Sequence, residues 1–84
     1  MKVYDFYAPW CSPCKALEPT LIETLIRHNL PLRKINVEDE RPVFNQFGVR
    51  TVPTLILVDD DDKEKARISG NITQKMLDSF LERA

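Results

Sequence analysis

The chain has 84 residues, of which 43% are hydrophobic and 30% charged. That is a globular composition in a length with room for one domain, residues 1–84, around a small core. Twelve Lys and Arg against thirteen Asp and Glu leave a formal net charge of -1, which argues against nucleic acid as an electrostatic partner. The apolar run Leu55-Ile56-Leu57-Val58 is far short of the ~20 residues a membrane-spanning helix needs. The opening Met1-Lys2-Val3-Tyr4-Asp5 meets an acid before a signal-peptide apolar region could form. The expectation is a soluble, unexported, cytoplasmic chain.

In chain order, Val3 to Tyr7 is β-branched and aromatic and flanked by turn residues, which predicts a short strand. A helix begins at Cys11 or Ser12, with Pro13 tolerated in its first turn. Leu17, Leu21, Ile22, Leu25 and Ile26 recur at helical spacing and predict its apolar face. Pro19 removes one backbone donor inside that helix, so a kink is expected there. Asn29 and Pro31 end it. Leu32 to Val37 reads as a second strand. Pro42 opens a short helix that Gly48 closes. Thr54 to Val58 is a continuous apolar strand, of the kind buried on both faces.

Asp59 to Glu64 is a charged turn. It lacks the Gly and terminal Glu of a calcium loop and reads as a solvated hairpin turn. Lys65 to Ser69 alternates, with Ala66 and Ile68 on one face, and Gly70-Asn71 turns the chain. Thr73 is a good N-cap for a last helix, Ile72 can pack on Leu77 as a staple, and Met76, Leu77, Phe80 and Leu81 form an apolar stripe. The strand–helix–strand opening implies parallel strands with a right-handed crossover. The fold class is therefore α/β: a four-stranded mixed sheet flanked by three helices.

The only two cysteines, Cys11 and Cys14, sit three positions apart. A disulfide across so short a loop stabilises little by chain entropy, so a structural staple is an inefficient use of them. Cys11 stands at a helix N-terminus, where free amides and the helix dipole favour a thiolate. Cys14 lies one turn on, on the same face and within disulfide reach. The placement suits a reversible pair. Cys11 attacks a substrate disulfide, and Cys14, expected to be the less exposed, displaces the captured sulfur. A zinc site usually needs four N or S ligands, and His28 is the one other candidate here, four helical turns away, so no metal is expected.

The run Asp5-Phe6-Tyr7-Ala8-Pro9-Trp10-Cys11-Ser12-Pro13-Cys14-Lys15 resembles the active site of the thioredoxin family. The likeness continues through Pro19, Lys34-Ile35-Asn36-Val37, Phe47-Gly48-Val49-Arg50-Thr51-Val52-Pro53-Thr54 and Gly70. Thioredoxins usually carry a further strand and helix before the active-site strand, and commonly have Gly-Pro where this chain has Ser12-Pro13. Its size and Thr51-Val52-Pro53 also resemble glutaredoxins. The resemblance implies a minimal thioredoxin fold and cofactor-free reduction of protein disulfides, with electrons from a thioredoxin reductase-like donor. Two other readings stay open: a glutaredoxin-like carrier fed by glutathione, and a non-enzymatic subunit that binds a partner through the apolar surface around Trp10 and Pro53.

Asp5 is an acid in an otherwise apolar strand, where desolvation raises a carboxyl pKa. The resemblance sets it beneath the cysteines as the acceptor of the Cys14 proton; the alternative is an ordinary exposed strand residue. Lys34 matches the family lysine near that acid, or is a solvated strand-edge lysine. Lys15 supplies a positive rim near Cys11, or is simply a solvated helix residue. The resemblance also implies a cis Val52-Pro53 peptide facing the cysteines, with the Val52 backbone free to bond an extended substrate. Pro13 and Gly70 belong to the same substrate surface. Trp10 is either an apolar platform beside Cys11 or a core filler. Leu32 to Val37 becomes a sheet edge, where Arg33, Lys34 and Asn36 discourage pairing, so a monomer is expected.

Overall fold

A computed structural model describes residues 1–84. Its elements are β1 (Lys2–Tyr7), α1 (Ser12–Arg27), β2 (Leu32–Asn36), α2 (Arg41–Phe47), β3 (Thr54–Val58), β4 (Glu64–Ser69) and α3 (Gln74–Leu81). They form one four-stranded sheet in the order β2-β1-β3-β4. β1 and β2 are parallel, while β3 runs antiparallel to both β1 and β4. The predicted fold class is the one observed, with strand ends differing by a residue at Lys2, Val37 and Glu64.

Side chains of a strand alternate between faces, and β1 uses both. Val3 joins Leu17, Leu21 and Leu25 of α1, Leu55 and Leu57 of β3, and Leu77, Phe80 and Leu81 of α3 in one core cluster. Tyr4 and Phe6 turn the other way, toward Ile35, Ile56, Val58 and Phe44 of α2. Edge-to-face contacts tie that second cluster together, with Phe6 and Phe44 centroids 5.0 Å apart and Tyr4 and Phe47 centroids 5.6 Å apart. So α1 and α3 cover one face and α2 the other. β3 lies between two strands under both layers, and all its residues are buried.

Caps behave as the residues suggest. The Thr73 hydroxyl accepts the Met76 N–H at 3.2 Å, and Ile72 packs on the cluster that holds Leu77. Gly48 closes α2 in the left-handed region at φ 66, its N–H returning to Asn45 and Phe44. In the β3–β4 turn, Asp59 Oδ1 accepts from the amides of Asp61 and Lys63. The acids there are absorbed by turn geometry and by partners on β1: the Tyr4 hydroxyl donates to Asp62 at 2.6 Å, and Lys2 pairs with Asp62 at 3.1 Å.

The α1 stripe is narrower than predicted. Leu17, Leu21 and Leu25 are buried, but Ile22 and Ile26 are 40% and 73% exposed. Each follows a buried leucine by one residue, a rotation of about 100° that carries it off the sheet. Thr24 takes the remaining buried place. Its hydroxyl donates to Thr20 O at 2.7 Å and accepts from Gln74 of α3, so a polar group is buried satisfied. Pro19 lies inside α1, which continues through it as one helix of 16 residues. Leu21→Ala is therefore expected to cost roughly 2–5 kcal/mol, and Ile26→Lys less than about 0.5 kcal/mol. Urea denaturation midpoints of the two variants check this; comparable losses would contradict the assignment of faces.

Candidate active site

The loop from β1 to α1 brings the cysteines together. The Cys11 N–H donates to Ala8 O at 3.1 Å, which curls the loop toward the helix start. Cys11 is the N-cap of α1, with extended backbone at φ -86 and ψ 103. Its Sγ accepts the Cys14 N–H at 3.2 Å, taking the place a Ser or Asp oxygen fills at most helix starts. Pro13 occupies the first turn, where a missing N–H costs nothing. Cys11 and Cys14 form a disulfide with Cα atoms 5.3 Å apart.

Exposure does not separate the two cysteine residues. Cys11 is 4% and Cys14 6% exposed, so the expectation of a less exposed Cys14 fails in this oxidised state. Joined to each other, both residues sit in one small cluster with Ala8, against which Tyr7, Val37 and Val52 pack.

Asp5 shares the alternation of β1 with Val3, which turns it toward α1 and Cys14 rather than into the aromatic cluster. It is 4% exposed, which rules out the ordinary surface reading. Asp5 and Cys14 line the same cavity of about 140 Å³, together with Tyr7, Lys15, Glu18 and Lys34. Burial pushes the Asp5 carboxyl from its ordinary 3.8 up to about 6; the Lys34 charge opposes this and Glu18 adds to it.

Lys34 stands opposite Asp5 in the β1–β2 register. Its ion pair, however, is with Glu18, at 2.7 Å, and its ammonium lies 4.6 Å from the centre of the Tyr7 ring. Glu18 is a site residue that sequence reasoning missed. The signal was present, since Glu18 follows Cys14 by four residues and so shares its helix face. Lys15 lines the cavity on the Cys14 side and is exposed.

Trp10 is 68% exposed, so it fills no core. It borders a groove of about 670 Å³ with Val37, Val49 and Val52 at its apolar floor and Arg41 and Arg50 at its edges. Those two arginines were not singled out from sequence, because only the fold brings the start of α2 beside the loop before β3. The Val52-Pro53 peptide is cis. Val52 itself enters no backbone hydrogen bond, and Pro53 O accepts from the N–H of Gly70, whose φ is +83. Pro13, Pro53 and Gly70 line one depression. His28 ends α1 away from the cysteines, and no group of three or more metal-ligating side chains exists.

Comparison with known proteins agrees with this geometry. The thioredoxin family matches residues 1–83. The chain belongs to the thioredoxin family. It is 35% identical over 79 residues to thioredoxin of Haemophilus influenzae, covering 92% of this chain and 73% of that one. It is 34% identical to the chloroplastic thioredoxin M2 of Arabidopsis thaliana, of which it spans 44%. The solved structure of thioredoxin 1 from Thermosipho africanus superposes with a TM-score of 0.88 at 29% identity, covering 99% of this chain and 92% of that one. Thioredoxin membership and the Cys11–Cys14 disulfide together make the chain a thiol–disulfide oxidoreductase of the protein-disulfide reductase kind.

The buried acid Asp5 makes the stability of this protein depend on pH. The folded Asp5 carboxyl holds its proton up to about pH 6, whereas the unfolded one releases it near 3.8. Between those values the folded state binds more protons, so stability falls as pH rises. The full cost, about 3 kcal/mol at 1.36 kcal/mol per pH unit, is reached above the folded value. Asp5→Asn lacks this fall. Its stability relative to the parent should rise by about that amount between pH 4 and pH 8 in urea titrations; a difference that stays constant with pH would contradict the buried-acid assignment.

Proposed function

We propose that this protein reduces disulfides in other proteins through Trp10-Cys11-Ser12-Pro13-Cys14, with Cys11 as nucleophile, Cys14 as resolving thiol and Asp5 as proton acceptor. The observation that carries the reading is Cys11 at the N-cap of α1, its sulfur already accepting an amide and bonded to Cys14. In the reduced protein the same amide and the helix dipole stabilise a Cys11 thiolate. That thiolate attacks one sulfur of the substrate disulfide, and the other substrate sulfur leaves as a thiolate. Cys14 then gives its proton to Asp5 and attacks Cys11 Sγ. The second substrate sulfur departs, and two electrons have passed from the protein to the substrate.

A carboxyl near pKa 6 is ionised at neutral pH yet more basic than an ordinary aspartate, which suits it to accept a thiol proton. The Trp10 groove and the free Val52 backbone offer an apolar bed and an edge for an extended substrate. Trp10, Pro13, Val52, Pro53 and Gly70 are the substrate contacts in this reading, and Lys15 and Lys34 are supporting charges. The protein acts as a cytoplasmic monomer in this reading, its charged β2 edge discouraging self-pairing. Its electrons come from a thioredoxin reductase-like donor.

Cys14→Ser should accumulate a mixed disulfide between Cys11 and a substrate peptide, visible by mass spectrometry, and Cys11→Ser should accumulate none. Asp5→Asn should slow peptide release in single turnover by at least about tenfold near neutral pH; release rates unchanged across pH 6–9 would refute the role of Asp5. Supplied oxidised, the protein should gain thiols with thioredoxin reductase and NADPH. Thiol gain with glutathione alone would assign the donor to the glutaredoxin type, and full function in a variant with serine at both Cys11 and Cys14 would make the protein a binding subunit.

A further inference from the structure

We propose that Glu18 is a positioning residue for the proton transfer at Asp5: by gripping Lys34 at the rim of the cavity shared by Asp5 and Cys14, it keeps that cation from pairing with the Asp5 carboxylate. The inference rests on the reading of Asp5 as proton acceptor. Lys34 stands opposite Asp5 in the sheet, so two carboxylates compete for its ammonium. Glu18 holds it at 2.7 Å, and the centre of the Tyr7 ring lies 4.6 Å away. The Glu18 and Lys34 side chains are each about a third exposed, whereas Asp5 is almost wholly covered. They therefore form the solvent side of the cavity, and Asp5 its floor.

The arrangement sets a Glu18–Lys34 pair of no net charge over Asp5. The groups that face it are Tyr7 from its own strand, Lys34 from β2, and Cys14, Lys15 and Glu18 from α1. Lys15 is exposed, where water screens it. With the Glu18 charge removed, the rim becomes net positive and Lys34 is free to turn inward. Both changes favour the Asp5 carboxylate, which becomes a weaker base that ionises at lower pH. With the Lys34 charge removed, Glu18 loses its paired cation and Asp5 holds its proton to higher pH. The contributions to the Asp5 carboxyl have these signs, with Lys34 lowering it and Glu18 raising it.

The step affected is resolution. Cys14 Sγ–H loses its proton to Asp5, the Cys14–Cys11 bond forms as the Cys11–substrate bond breaks, and the substrate thiolate takes a proton from water. Asp5 later returns its proton to solvent across the Glu18–Lys34 rim. The two rim residues thus act in opposite directions on one titration. A structural role would weaken the protein in both variants without splitting their pH profiles.

The test is single-turnover release of a fluorescence-quenched disulfide peptide by pre-reduced protein, at saturating peptide, from pH 4.5 to 9. Glu18→Gln should move the midpoint of the rising limb to lower pH, and Lys34→Gln to higher pH, each by about half a pH unit or more. Glu18→Asp, which keeps the charge, should stay nearer the parent than Glu18→Gln. Midpoints that coincide with the parent, or move the same way in both variants, while Asp5→Asn still slows release, would overturn this role for Glu18. If Asp5→Asn releases peptide at the parent rate, the reading of Asp5 fails first and this one with it.

Discussion

Both faces of β1 are spoken for, and the site follows from that constraint. Its even residues, Tyr4 and Phe6, belong to the aromatic cluster under α2, while Val3 faces α1 and α3. The two-residue period then gives Asp5 to the α1 face and no other. A slip of one residue would turn Asp5 toward the aromatic rings and carry Tyr4 and Phe6 into the layer already filled by α1 and α3, so the register is strongly fixed. The same strand runs through a short loop into the N-terminus of α1. One continuous piece of chain therefore carries Asp5, Cys11 and Cys14.

The cost of this design is electrostatic. A carboxylate held almost out of water opposes folding at neutral pH, and the sheet has only apolar neighbours to offer it on β3. Lys34, opposite it in the register, pairs with Glu18 and not with Asp5. The same burial makes the Asp5 carboxyl hold its proton more firmly than a surface carboxylate does. The rest of the core is conventional: three apolar clusters, a satisfied buried threonine and well-formed caps hold the small domain against that cost.

Much of this was legible in the residues. β-branched and aromatic runs, the glycine after Phe47 and the threonine before α3 are local signals, and the elements they predict form where they stand. The pairing of an N-terminal cysteine with a second one a turn later is equally local. What escaped were distinctions that depend on neighbours across the fold. Ile22 and Ile26 have the right period for burial, but one sheet covers only a narrow arc of a helix. Cys14 is no better hidden than Cys11, because both share one cluster with Ala8, against which Val52, distant in sequence, packs. Lys34 was matched to Asp5, yet its bond goes to Glu18, a residue whose spacing from Cys14 pointed to it and whose role needed β2 in place.

The account turns on a Cys11 sulfur that is ionised more readily than an ordinary thiol. The most direct measurement is the pH dependence of iodoacetamide alkylation of the reduced protein, with Cys11 and Cys14 followed separately by peptide mass spectrometry. The account predicts that Cys11 reacts first and with a midpoint well below the about 8.5 of a free cysteine. A Cys11 midpoint at or above that value, or faster labelling of Cys14, would contradict it.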